Sequence, residues 1–123
     1  MRKHHKHMHL ARRKMSHIID EIYTALLHCG SGDVDLHIKR EEKGLRLMVR
    51  SNFSPEHADD ISRMGELLNP AVRSPAMVEE YWELAGEDQY TSDGEMALVG
   101  QMTDFAELTV TEGEVVIDLF VAF

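Results

Sequence analysis

Histidine is the most concentrated chemistry-bearing residue in this 123-residue chain: His4, His5, His7 and His9 crowd the opening "MRKHHKHMHLARRK". Imidazole nitrogens hold nickel, copper or zinc when two or three of them converge. No acid or cysteine accompanies these four, so the expectation of a metal-responsive segment rests on imidazoles alone. Cys29 is the single cysteine, which excludes an internal disulfide and a cysteine-based zinc cluster. The acid pairs Glu41/Glu42, Asp59/Asp60 and Glu79/Glu80 are sequence neighbours, whose side chains diverge on a helix and read as solvated faces. There is no glycine loop followed by Lys-Ser/Thr, no Gly-x-Ser-x-Gly and no His-Glu-x-x-His. Spacing alone pairs no nucleophile with a base.

Composition bounds what can position such groups. Apolar residues make up 43% and charged residues 28%, ordinary values for one globular domain of this length. The longest apolar run, "VVIDLFVAF", is short and interrupted by Asp118, so no membrane span is expected. The basic start lacks an apolar signal core, and a cytoplasmic protein is the expectation. Net charge is −9, unevenly placed. Residues 1–14 carry Arg2, Lys3, Lys6, Arg12, Arg13 and Lys14 and no acid, which leaves −15 on residues 15–123. So acidic a body would repel phosphate, which argues against nucleic acid as a partner. The basic end reads as a solvated tail, or as a contact for the acidic body of a second copy.

The pattern divides into a basic, histidine-rich segment, 1–14, flexible or starting the first helix, and a single domain, 15–123. Ala11, Met15, Ile18, Ile22, Ala25 and Cys29 recur at steps of three and four, predicting a helix from about Leu10 to His28. Ile19, Tyr23, Leu26 and Leu27 widen the stripe, so its second half is expected to be buried on most sides. "GSGD" stops it. "VDLHIKR" and "LRLMVRS" alternate around "EEKG", predicting a hairpin with Val34, Leu36 and Ile38, and likewise Leu45, Leu47 and Val49, on its apolar face. His37 falls on its polar face. Ser54 and Pro55 suit a helix start, with acids in the early turns. "AMVEEYWELAG" predicts a short helix with Val78, Tyr81, Trp82 and Ala85 toward the core, and "EMALVGQMTDF" another. A second hairpin, turning at Glu112 to Glu114, closes the chain. Two hairpins with helices on one face give an α+β two-layer sandwich around a mostly antiparallel sheet of about four strands.

That order of elements resembles the histidine-kinase-like ATPase domain (the Bergerat or GHKL fold), and especially the anti-sigma-factor serine kinases. In that family a helix carries a glutamate, an asparagine four residues on, and often His-Gly or His-Ala; "EIYTALLHCG" offers Glu21, Ala25 and His28 in that register. The family's second strand ends in a Val-x-Asp-Asn-Gly-like box, where "VRSNF" gives Val49, Arg50, Ser51, Asn52 and Phe53. A Gly-x-Gly-Leu-like box would survive at most as Gly94, or be replaced by Asp93 and Glu95. The resemblance spans residues 15–123.

The departures carry chemical meaning. The family asparagine coordinates Mg²⁺, and Ala25 has no oxygen for a hard cation. Ser51 would replace the adenine-reading aspartate with an uncharged hydroxyl, and Phe53 would fill the space beside it. Acids at the second box would repel a triphosphate. The resemblance therefore implies a degenerate, non-catalytic domain, a pseudokinase in effect, with no cofactor, acting on a protein partner in a signalling or anti-sigma-type pathway. A homodimer through the basic first helix is a corollary. The alternative is a divergent but active ATP-binding serine/histidine kinase-like enzyme. Glu21 would then be catalytic, Ser51, Asn52 and Gly94 would mark the pocket, and ATP and Mg²⁺ would be required.

Overall fold

The computed structural model describes residues 2–73 and 92–123. Residues 2–28 contain neither glycine nor proline and form one helix, α1, Arg2–His28. It begins well before the apolar stripe because nothing in the basic segment breaks it. Ala11, Met15, Ile18, Ile22 and Leu26 are buried along one face, at the expected steps. The helix ends where Gly30 enters the left-handed region at φ +80°, with Ser31 N–H donating to the Leu26 carbonyl and Gly30 N–H to that of Leu27. A side chain on Gly30 would collide with Ser54, whose own N–H donates to the Cys29 carbonyl at 2.9 Å.

Two hairpins build the sheet: β1 (Val34–Arg40) with β2 (Gly44–Asn52), and β3 (Phe105–Thr111) with β4 (Glu114–Ala122). The strand order is β1-β2-β4-β3, and every pairing is antiparallel. Leu47 faces Leu119 and Val49 faces Ile117 across the central pair, and all four are buried under the helices. The opposite face is polar. There Arg46 lies between Glu41 (3.0 Å) and Asp118 (2.8 Å) and over the Phe120 ring, while Arg50 bridges Asp35 and Glu114. Asp118 interrupts an apolar run because its position belongs to this outer face.

Between the hairpins, a 3₁₀ turn at Pro55–His57 leads into α2 (Ala58–Leu68), and α3 (Ser92–Met102) precedes β3. Ser54 is extended at the start of that turn but makes no side-chain cap; the His57 N–H donates to its carbonyl instead. α1 packs on β2 and β4, α2 on β3, and α3 against both other helices. The result is the expected α+β sandwich, with helices on one face of a four-stranded antiparallel sheet. The expected helix over residues 76–86, including Tyr81 and Trp82, lies outside the described residues.

Burial departs from the apolar pattern in two places, and the helix expected over "EMALVGQMTDF" ends at Met102, with Phe105 opening β3. Leu36 and Ile38 point to the helix side of the sheet, opposite Val49 and Leu47, yet they are 41% and 51% exposed. Tyr23 and Leu27 on α1 are also exposed, at 44% and 49%. α1 lies over β2 and β4, so edge strand β1 extends beyond its cover.

Candidate functional site

Where α1 ends, the 3₁₀ turn, α2 and α3 converge around a cavity of about 380 Å³, within the range of small-molecule sites. Its floor is apolar, from Ala25, Met64, Leu67 and Met96, and its rim carries His28, His57 and Arg63. Helical periodicity places Ala25 and His28 on the flank of α1 that meets α3. The 3₁₀ turn turns His57 toward Asp60, with Nδ1 2.8 Å from Oδ2. Asp60 and His57 lie beside Cys29, with one donor atom of each within 4.8 Å of the others. Burial, and then the Asp60 carboxylate, push the Cys29 thiol above its usual value. Both causes disfavour the thiolate, the form that acts as nucleophile.

Deeper along the α1–α3 seam sits a second group of ionisable side chains. His17 and Glu21 stand one turn apart on α1, and Glu95 approaches from α3. Glu21 is 7% and Glu95 9% exposed. His17 Nε2 lies 3.4 Å from Glu95 Oε2. Burial foremost, and then the neighbouring Glu21, push the Glu95 carboxyl up, against the opposing pull of His17.

The residues singled out from the sequence are dispersed. Ala25 and His28 line the cavity; Glu21 does not, being turned into the group with His17 and Glu95. Ser51 is wholly buried and donates to the Asn52 carbonyl at 2.8 Å. Asn52 Oδ1 accepts from the backbone N–H groups of Gly32 and Asp33, and so shapes the turn into β1. Phe53 packs against the core, and Gly94 is exposed near the start of α3. His9 is exposed on α1, and the side chains of His4, His5 and His7 lie outside the described residues.

Sequence reasoning missed His57, Asp60, His17 and Glu95 as members of sites. The i, i+4 spacing of His17 and Glu21 was a usable signal, since it puts both on one helix face. Glu95 and His57 gave none, because their partners come from other elements. Among the described residues no helix is long and apolar enough to cross a membrane. No protein-family model, no curated protein and no solved structure matches the chain.

Proposed function

We propose that this chain is a degenerate histidine-kinase-like ATPase domain that regulates by protein–protein interaction without catalysing, in a cytoplasmic signalling or anti-sigma-type pathway. The family placement rests on the sequence resemblance. The observation that carries the binding role is the uncovered edge of the sheet. Strand β1 pairs only with β2 among the described residues, and it presents Leu36 and Ile38 to solvent. The flank of α1 turned away from α3 adds Tyr23 and Leu27. An exposed edge with apolar side chains is a template for another strand.

The first occupant is a second copy of this chain. "VDLHIKR" is complementary to itself when two β1 strands run antiparallel about His37: Asp35 then faces Lys39, and Leu36 faces Ile38. The test is a charge exchange read by sedimentation velocity. Asp35→Lys and Lys39→Asp should each be monomeric, and an equimolar mixture should restore the dimer. A parental chain that stays monomeric at high micromolar concentration sinks the self-pairing, and the search then moves to other protein partners.

The ATP-dependent reading draws support from one observation: Ala25 and His28, the positions beside which the resemblance expects nucleotide, wall the cavity. Calorimetric titration of ATP with and without Mg²⁺ separates the two. Saturable, magnesium-dependent binding favours the active enzyme, and no heat at millimolar nucleotide favours the non-catalytic domain.

A further inference from the structure

We propose that His17, Glu21 and Glu95 form a zinc site that clamps α1 to α3. This is independent of the reading above. Each residue offers one ligand atom, and the three atoms lie within 4.8 Å of one another. Two come from positions one turn apart on a single helix, the spacing by which helices present paired metal ligands. The third comes from a different helix, so the ligand set bridges two elements held by the core.

The approach of His17 to Glu95 is the decisive detail. Nε2 and Oε2 are 3.4 Å apart, within ion-pair reach, and both atoms are buried. Ligand atoms about 2.0–2.1 Å from a tetrahedral zinc stand about 3.4 Å from one another. A ring nitrogen and a carboxylate oxygen at that separation fit two neighbouring corners of a tetrahedron. Apart from the His17 ring, no group among the described residues donates a hydrogen bond to Glu95 Oε2, and a buried carboxylate oxygen with so little company is costly. Two carboxylates and an imidazole together suit zinc better than magnesium or calcium, which take oxygen ligands in larger number. A dication also offsets the repulsion between two carboxylates withdrawn from water. The fourth corner is left to solvent, as in zinc sites with three protein ligands.

The histidine-rich start of α1 would also take up zinc, so the experiment begins from full-length protein carrying His4→Gln, His5→Gln, His7→Gln and His9→Gln. After chelator treatment, Zn²⁺ is titrated calorimetrically, and Co²⁺ uptake is followed by absorption. One equivalent of Zn²⁺ should bind and raise Tm. Co²⁺ should give tetrahedral visible bands without the near-ultraviolet charge-transfer band of a thiolate ligand. Glu95→Gln and His17→Ala should each weaken Zn²⁺ by about 100-fold or more, beyond the loss typical of an outer-shell change. In chelator Glu95→Gln should be at least as stable as its parent, because it removes a charge buried against Glu21, and Zn²⁺ should then fail to stabilise it. Loss of all zinc uptake with the four N-terminal replacements overturns the proposal. So does a thiolate band, which would move the cation to Cys29, or affinity unchanged in Glu95→Gln.

Discussion

Asn52 Oδ1 accepts the backbone N–H of Gly32 at 2.9 Å, and of Asp33 at 3.1 Å, so this side chain fastens the exit of α1 to the end of β2. A residue expected beside a nucleotide pocket is thereby committed to holding a turn. Its backbone carbonyl is equally engaged, accepting from the Ser31 hydroxyl at 2.6 Å.

Replacing Asn52 by alanine should cost about 1–2 kcal/mol, because two turn N–H groups lose their acceptor. Urea denaturation of Asn52→Ala against the parent measures it. A neutral result would mean that water replaces the side chain without loss.

Gly100→Ala should be more damaging than its size suggests. A Cβ there would run into the Leu67 carbonyl, and backbone cannot swing aside as a flexible side chain can. Forcing α2 and α3 apart should cost about 1–3 kcal/mol. The thermal midpoint reports it, and an unchanged Tm would contradict the close approach of the two helices.

Arg73 gathers the ends of those helices. It donates to the carbonyls of Gly100 (3.1 Å) and Leu68 (3.2 Å), where a cation also complements the helix dipoles. Arg73→Met keeps the apolar stem and removes the donors, and should lose about 1–3 kcal/mol. Lysine should recover only part of this, since it lacks the guanidinium fork. Full recovery by Arg73→Lys would show that charge alone matters.

Cys29 predicts an alkaline weakness. Its thiol is pushed above the ordinary value of 9.0 by burial and by Asp60, so the folded state holds that proton longer than the unfolded chain. The associated stability is present in full below about pH 9 and is lost as pH rises through the folded-state value. Parent and Cys29→Ala should therefore converge in denaturation midpoint as pH rises above about 9. A constant gap across that range would place the thiol in no such environment.

The helices and strands were legible because their signals are local. Ala11, Met15, Ile18, Ile22 and Leu26 recur at helical spacing, glycines mark the end of α1 and the second hairpin turn, and the first hairpin alternates cleanly. Those patterns were enough to fix an α+β sandwich with helices on one face.

What the pattern could not convey was coverage. Leu36 and Ile38 alternate as faithfully as Leu47 and Val49, yet one pair is exposed and the other buried. Alternation says which face a residue takes, and strand order decides whether a helix reaches it. The sites have the same character. Glu21 reads as part of "EIYTALLHCG", one motif with Ala25 and His28, but the packing of α3 gives Glu21 the company of Glu95 and leaves Ala25 and His28 to the cavity. Sequence alone determined the element types, the turns and the uneven charge. Which side chains meet was decided by tertiary structure, because contacts between α1, α2 and α3 join residues far apart in the chain.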